Sequence, residues 1–245
     1  MKQETINAWK VFYRDLMQRH TSYPEFVYKY RSFNMDSIKA LQAHKLWFSR
    51  HEDFNDPYEG KLAPPSQAIS NMVEVMGEKI DNDLMRYLEA EYLSTFDPYL
   101  KRQRICCFSR KKDDICLWAH YADNHRGFCL EFNVLDDVDF FMPILPVVYK
   151  REFAPADLWK EPSKILEQIY QRKSDAWANE EEVRVIKQGR TGLRSYAPSA
   201  LKSIIFGCRA SDGDISLIRA IAPSNVRFQK AEMSTTSYEL KIVDI

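Results

Sequence analysis

Residues 105–132, ICCFSRKKDDICLWAHYADNHRGFCLEF, place a polar stretch between two apolar runs. The two apolar runs predict strands, and the stretch between them predicts a short helix that begins at Asp113 or Asp114. Cysteine, histidine, tryptophan, serine and tyrosine side chains all lie within it. We therefore expect this strand–helix–strand unit to form one wall of a small-molecule site.

The composition is that of a folded protein without a charge excess. The 245 residues are 45% hydrophobic and 13% aromatic, which is ample for a core. Lys+Arg and Asp+Glu both number 35. This balance argues against a dedicated nucleic-acid binder, although a local basic groove is compatible with it. The five cysteines include no CxxC pair, and no apolar run has the length of a leader or a membrane span, so we expect a cytoplasmic protein with reduced thiols and no membrane partner.

Helical and strand-like segments are interspersed without a strict βαβ rhythm, which predicts an α+β fold. We expect a single domain over 1–245 with a mixed or antiparallel central sheet, a helical N-terminal segment over 1–22 and a helical insertion over 63–101 that covers the site. The predicted strands are 26–31, 45–49, 104–109, 127–133, 146–153, 180–187, 201–207, 226–232 and 238–243. The predicted helices are 4–20, 37–45, 66–101 with breaks near Gly77 and at Asp97-Pro98, 114–124, 162–179 and 211–222.

The stretch 177–184, WANEEEVR, is the strongest candidate for chemistry. Side chains alternate between the faces of a strand, so Glu180, Glu182 and Arg184 share one face while the intervening valines face the core. Two such carboxylates lie about 7 Å apart, and Arg184 would hold Glu182 ionised. The competing interpretation is a solvated strand face with a surface ion pair.

Cysteine and histidine residues around the predicted helix allow two interpretations. Cys116, His120, His125 and Cys129 have a spacing that a zinc site could use, but its ligands would span a helix, a turn and a strand. Alternatively, Cys116 and Cys129 are core-facing thiols, and His120 and Tyr121 are hydrogen-bonding groups at the edge of a cleft.

Two further pairs carry possible chemistry. Lys29 and Arg31 share one face of a predicted strand and could clamp a phosphate or pair with acidic side chains across the sheet. Ser109 and His120 could form a nucleophile and its base, although no GxSxG motif accompanies them.

Carboxylates could also assemble a metal site. Asp56 and Glu59, together with Glu180 and Glu182, would suit a divalent-metal nuclease if the fold brought all four together.

Seven short motifs stand in an order that resembles the domain-of-unknown-function 2971 family. They are YKYRS (28–32), LWFS (46–49), FNDPYE (54–59), CFS (107–109), LWAHY (117–121), HRGF (125–128) and the Trp, Glu, Glu and Arg of 177–184. The resemblance extends from about residue 26 to 208. This family is bacterial and phage-associated, and some of its members are described as abortive-infection proteins.

The order of parts is also similar to that of NAD-consuming ADP-ribosyltransferases: a strand with a basic residue, a short helix, a strand ending in serine, and a late Glu-x-Glu strand. This resemblance implies NAD as the substrate and no metal. Glu182 would stabilise an oxocarbenium-like charge, and Glu180 would orient the acceptor. Lys29 and Arg31 would hold the pyrophosphate or ribose, and Trp118 or Tyr121 would stack on nicotinamide. The residues implied to contact NAD are Lys29, Tyr30, Arg31, Ser49, Asn55, Ser109, Trp118, His120, Tyr121 and Arg184.

The expected function is therefore an NAD-dependent ADP-ribosyltransferase-like enzyme that acts as a toxin or phage-defence effector. A metal-dependent nuclease of a defence system and a non-enzymatic ligand-sensing or interaction module are the alternatives. The expected partners are a small-molecule nucleotide, a protein or nucleic-acid acceptor, and an antitoxin or other defence-system protein.

Overall fold

The computed structural model describes residues 2–61, 64–77, 81–157 and 162–245. The helices are α1 (Gln3–Arg19), α2 (Met35–Gln42), α3 (Pro65–Met76), α4 (Asn82–Lys101), α5 (Ile115–Tyr121), α6 (Val138–Phe141), α7 (Ile165–Tyr170) and α8 (Asp212–Ile221). The strands are β1 (Phe26–Arg31), β2 (Lys45–Phe48), β3 (Gln103–Ser109), β4 (Phe128–Asn133), β5 (Ile144–Pro146), β6 (Val148–Lys150), β7 (Arg172–Ser174), β8 (Glu182–Gln188), β9 (Gly192–Ser195), β10 (Leu201–Phe206), β11 (Arg227–Met233) and β12 (Leu240–Asp244).

Within the described residues, eight strands form one sheet in the order β12-β11-β10-β4-β1-β3-β8-β5. β10 and β11 are parallel, and the other neighbours are antiparallel. β2 pairs with β9 and β6 pairs with β7 in two small separate sheets. The α+β fold with a mixed central sheet is thus confirmed, and so are the helical N-terminal segment and the helices of the insertion.

Alternation along the strands divides their side chains between two faces of the sheet. A large apolar cluster on one face contains Val183 and Val185 of β8 together with residues from α1, α2, α6 and α8. Tyr30 of β1 belongs to a second cluster, which includes residues of α5. Glu182 and Arg184 alternate with the valines, so they point away from the larger cluster, as the strand pattern predicts.

The insertion forms its own small core. α3 and α4 pack together around Ala68, Ile69 and Tyr92. Among the insertion residues whose side chains are described, none lines either of the cavities discussed below. The described side chains of the insertion therefore form no part of either cavity wall, and the expectation that the insertion covers the site stays a prediction.

Three local predictions also need correction. α4 continues to Lys101 through the predicted break at Asp97-Pro98, since a proline removes one helical hydrogen bond without always ending the helix. The helix predicted over 162–179 ends at Tyr170, because the chain then pairs as β7 with β6. The strand predicted over 146–153 is divided into the end of β5 and the short β6.

No helix in the described part of the chain is both long and apolar enough to cross a membrane.

Candidate functional site

A cavity of about 320 Å³ lies where two neighbouring strands of the large sheet separate. β1 pairs with β4 from Phe26 to Arg31, whereas it pairs with β3 at Tyr28 and Ser109. Residues 28–30 of β1 and residues 107–109 of β3 both line the cavity. The gap between β1 and β3 is therefore part of the site, and we call this space the split cavity.

Five buried charged residues form the base of this region, and we call them the charge network: Glu59, Lys173, Glu180, Glu182 and Arg184. Lys173 Nζ donates to Glu180 Oε2 at 2.6 Å and to Glu182 Oε2 at 2.9 Å, and it lies 3.5 Å from Glu59 Oε1. Arg184 donates to both oxygens of Glu182, at 2.8 and 3.1 Å, and pairs with Glu59. None of the five is more than 7% exposed, so the two cations and three carboxylates offset the burial of one another.

The pKa values of Glu182 and Glu59 shift in opposite directions within the network. Burial would raise the pKa of Glu182, but Arg184 and then Lys173 outweigh it and lower that pKa to about 2. Burial is the dominant effect at Glu59 and raises its pKa. Burial opposes charge on Lys173 and Arg184 as well, yet the surrounding glutamates raise both of their pKa values. Glu182 and both cations are thus charged at neutral pH, and Glu59 takes up a proton more readily.

A turn before β8 directs the paired glutamates inward. Glu180 ends a 3-10 turn, and Glu181 has a left-handed backbone with φ of 41°, so β8 begins at Glu182. Glu181 points away and pairs with Arg110 at 3.0 Å and Lys111 at 3.2 Å. The prediction that Glu180 lies in the strand is wrong, but Glu180 and Glu182 still face the same side.

Side chains from three other segments hold Glu180. Tyr121 donates its hydroxyl hydrogen to Glu180 Oε1 at 2.7 Å and accepts a hydrogen bond from Asn55 Nδ2 at 3.0 Å. Ser109 Oγ donates to the Glu180 main-chain oxygen at 2.6 Å. Tyr121, Asn55 and Ser109 all line the split cavity, so they link its wall to the charge network.

The lysine and tyrosine of β1 border the gap itself. Lys29 Nζ donates to the Cys107 main-chain oxygen at 2.7 Å and lies 5.8 Å from the centre of the Phe108 ring. Tyr30 donates its hydroxyl hydrogen to the Lys111 main-chain oxygen at 2.9 Å. Lys29 therefore brings a positive charge to the split cavity, and Tyr30 brings a ring whose hydroxyl is already engaged.

Much of this site lies in a segment that matches a family model. Tyr121 and four members of the charge network fall within residues 117–185, which match the model of the family described as "Protein of unknown function (DUF2971)". These residues are similar to that family, and we call them the DUF2971 segment. The resemblance inferred from the ordered motifs is confirmed over these residues. No curated protein and no solved structure matches the chain.

The DUF2971 segment and the strands before it together bring many of the predicted site residues to the split cavity. These are Lys29, Tyr30, Asn55, Ser109, Tyr121, Glu180 and Glu182. Arg184 does not line this cavity, and it acts on the site through Glu59 and Glu182, with which it pairs.

Four other predicted contact residues do not line the split cavity. Trp118 is fully buried and its indole nitrogen donates to the Lys112 main-chain oxygen at 2.9 Å, so it is a core residue. His120 is exposed, because α5 directs Leu117 and Trp118 to the core.

Arg31 and Ser49 also lie outside the wall of the split cavity. Burial lowers the pKa of Arg31, and the smaller effects of Cys106 and Asp36 oppose this shift. Ser49 pairs with Ile105 through two main-chain hydrogen bonds of 3.0 and 2.9 Å. The predicted roles of Arg31, Ser49, Trp118 and His120 in direct ligand contact are therefore not supported by their positions.

The charge network argues against the predicted metal site of a nuclease, because its carboxylates already have cationic partners. Glu59, Glu180 and Glu182 converge without Asp56, and Lys173 and Arg184 already pair with them. Among the described residues, no group of three or more His, Cys, Asp or Glu is arranged to hold a metal ion.

The fold does not bring together the four residues whose spacing suggested a zinc site, Cys116, His120, His125 and Cys129. Cys129 is buried as predicted, whereas Cys116 is exposed on α5 together with His120. The prediction that Cys116 faces the core is wrong.

Lys173 is the main site residue that the sequence analysis missed. The helix predicted over 162–179 included Lys173, which lies in β7 instead. Its sequence neighbourhood carries no motif. The available signal was electrostatic, since Glu180 and Glu182 facing inward require more buried positive charge than Arg184 alone supplies. Glu59 was considered only as a metal ligand, and its actual partners are Lys173 and Arg184.

Proposed function

We propose that the split cavity binds NAD and that the chain is an ADP-ribosyltransferase-like enzyme. The observation that carries this proposal is that Glu180 and Glu182 share one cavity with Lys29 and the rings of Tyr30 and Tyr121. NAD offers a matching group to each: ribose hydroxyls to carboxylates, phosphates to an ammonium group, and a flat cationic ring to aromatic walls. A volume of about 320 Å³ suits the nicotinamide–ribose half of the dinucleotide.

The proposed step breaks the bond between ribose C1′ and the nicotinamide nitrogen, and the electron pair of that bond passes to nicotinamide. Water or an acceptor nucleophile forms the new bond to C1′ and loses its proton to a carboxylate or to solvent. Positive charge develops on the ribose in the transition state, so a fixed carboxylate nearby lowers the barrier. Glu182 has this electrostatic role, and Glu180 orients the acceptor.

The cations of the charge network support this role. Arg184 and Lys173 keep the buried Glu182 ionised, which an apolar pocket alone would not do. When all five residues are charged, three carboxylates face two cations, and one formal negative charge remains. That sign complements the nicotinamide ring and the transition state.

The test is nicotinamide release from NAD by the purified chain. We expect Glu182→Gln to lower turnover by about a hundredfold or more, because it removes the charge that stabilises the transition state.

Glu180→Gln should lower transfer to an acceptor more than it lowers hydrolysis. Lys29→Met should weaken NAD binding, measured by calorimetry, with less effect on turnover of bound NAD.

Glu181→Gln is the matched control, because it makes the same chemical change one residue away on a side chain that faces Arg110 and Lys111. Its turnover should equal that of the unmodified protein. Thermal unfolding of each variant identifies those that fail to fold. Lys29→Met provides a second test of the proposal, because Lys29 lies outside the charge network and its replacement leaves the buried ion pairs in place. The proposal fails if the unmodified protein neither binds nor consumes NAD, or if folded Glu182→Gln protein keeps full turnover.

A role as a toxin or phage-defence effector is part of the same proposal. In bacteria that express the chain, the unmodified protein should deplete NAD and slow growth. Glu182→Gln should do neither, while Glu181→Gln should do both.

A ligand-binding module without catalysis is a second candidate. It is favoured by the engagement of the carboxylates, since both oxygens of Glu182 accept bonds from Arg184 and both oxygens of Glu180 accept bonds from Tyr121 or Lys173. NAD binding without nicotinamide release would support this candidate over the enzyme.

A further inference from the structure

A second cavity, of about 430 Å³, lies beside the split cavity. Its lining comes from residues 56–61, 150–154 and 168–174. Glu59 and Lys173 of the charge network line both cavities, so this ion pair forms part of the wall between them. The proposed function makes no use of this second space.

Two exposed aromatic rings stand at the second cavity. Tyr58 is 59% exposed and Phe153 is 52% exposed, and their ring centres are 5.0 Å apart. The main-chain nitrogen of Tyr58 donates to Asp56 Oδ1 at 2.9 Å, which holds this part of the loop in place. The pair adds nothing to the buried core, so it offers apolar ring faces, inclined at 58° to one another, on which a planar ligand can stack.

Positive charge surrounds the aromatic pair. Lys61, Lys150 and Arg151 are exposed at the cavity, and the exposed acid beside them is Glu152. The whole chain has a formal net charge of zero. This local excess is therefore a specific feature of the cavity and complements an anionic ligand.

Asp56 supplies a third kind of contact. It lines the second cavity and is 4% exposed, and its Oδ2 has no hydrogen-bond partner in the part of the chain that the structure describes. A buried carboxylate oxygen without a donor is costly, so a ligand with an N–H or O–H group gains by pairing with it.

We propose that the second cavity binds single-stranded nucleic acid. A base stacks on the Tyr58 and Phe153 pair, the adjoining phosphates contact Lys61, Lys150 and Arg151, and Asp56 accepts a hydrogen bond from an amino group on the base edge. Stacking platforms beside cations are the usual means of binding single strands. A duplex hides the base faces that the aromatic pair requires, and an acidic peptide lacks them. Binding does not depend on NAD chemistry, and only a role of the strand as ADP-ribose acceptor would rest on the proposed function.

The test is fluorescence anisotropy with short labelled oligonucleotides of alternating adenine and cytosine, in DNA and RNA forms, at low salt. We expect Tyr58→Ala combined with Phe153→Ala to weaken binding by about tenfold or more. Lys150→Glu combined with Arg151→Glu should also reduce the dependence of affinity on salt, by roughly 0.7 in the logarithmic slope for each phosphate that the protein no longer neutralises. The protein should bind the adenine–cytosine strand more tightly than oligothymidine, whose base carries no amino group. Asp56→Asn should reduce this difference in affinity.

Two control variants match these changes at distant exposed positions. Tyr238 is fully exposed, so Tyr238→Ala controls for the loss of an aromatic ring. Arg14→Glu combined with Lys241→Glu makes the same change in net charge on other exposed residues. Both controls should bind as the unmodified protein does, and duplex DNA should bind more weakly than the single strand.

Three results would overturn the proposal: no binding by the unmodified protein, equal weakening in the control variants, or equally effective competition by polyglutamate. The last would indicate a surface that binds any polyanion. Nicotinamide release is measured on the same samples. Loss of strand binding with NAD turnover intact leaves the proposed function standing, and the reverse result leaves strand binding standing.

Discussion

At the scale of single residues, Glu182 links the charge network to the acid stability of the fold. Burial favours its neutral form, but Arg184 and Lys173 lower its pKa to about 2. A carboxylate whose pKa is lower in the folded than in the unfolded chain stabilises the fold above the unfolded value, and this stability is lost as the pH falls. We expect most of about 3 kcal/mol to be lost from the free energy of unfolding between about pH 5 and pH 2.

Urea unfolding over this pH range checks the prediction. Glu182→Gln should flatten the pH dependence, and at pH 7 it should cost about 3 kcal/mol because Arg184 keeps fewer partners. Glu181→Gln should keep the unmodified pH dependence. An equally steep loss of stability in Glu182→Gln would show that Glu182 is not the group responsible.

Residue pairs close in sequence could be predicted, and those set by distant packing could not. Alternation along β8 was enough to pair Arg184 with Glu182 and to bury Val183. Lys173 reaches the same carboxylates only because the chain turns at the end of α7 and pairs with β6. Glu59 arrives from a loop more than a hundred residues earlier, and no local pattern encodes that approach.

At the scale of elements, close packing of main chains fixes the loop that joins α5 to β4. Asp123, Asn124 and His125 all have left-handed backbones, with φ of 48°, 51° and 69°. A Cβ added at Gly207 would collide with the main-chain oxygen of His125, and one added at Gly127 would collide with that of Arg31. These glycines allow the loop to lie directly against its neighbouring strands.

Gly207→Ala should therefore destabilise the fold by about 3 kcal/mol, because main chain rather than a flexible side chain must move. Gly213→Ala is the matched control, since the new methyl group near the start of α8 would meet only Ser211 Oγ at 3.8 Å. This control should be neutral or more stable by up to about 1 kcal/mol. Chemical unfolding of both variants measures the difference, and equal effects would contradict the packing argument.

Elements with strong local patterns were predicted well. β1 has the predicted bounds, and α8 lies within the predicted range 211–222, capped by the Ser211 side chain, which accepts from the Asp214 main-chain nitrogen. The apolar period that begins at Ile165 ends at Tyr170, and the predicted helix was extended beyond it without such support. After Tyr170, the chain forms β7 because it pairs with β6, and this tertiary contact is not encoded in the local sequence pattern.

At the scale of the whole molecule, the sequence predicted the α+β class but not the strand order. Alternating side chains indicate which residues face inward, and they carry no information on which strand lies beside which. The place of β1 between β4 and β3 is what brings Lys29 to the glutamates. The split cavity therefore could not be located before the topology was known.

The narrow pairing of β1 with β3 also divides the sheet into two parts. β12, β11, β10, β4 and β1 lie on one side of the gap, and β3, β8 and β5 lie on the other. Neighbouring strands within each part pair over several residues, whereas Tyr28 and Ser109 are the point of pairing between the two parts. Cooperative opening follows such contiguous units. Native-state hydrogen exchange should therefore show one opening free energy for β4 and β10 and a different one for β3 and β8.

A ligand in the split cavity would touch residues 28–30 on one part and residues 107–109 on the other. Saturating NAD should accordingly slow exchange in both parts and bring their opening free energies closer together. A single opening free energy in the free protein would contradict this division. On this prediction, the gap that receives the ligand is also the boundary between two cooperative units, and ligand binding would couple two units that otherwise open independently.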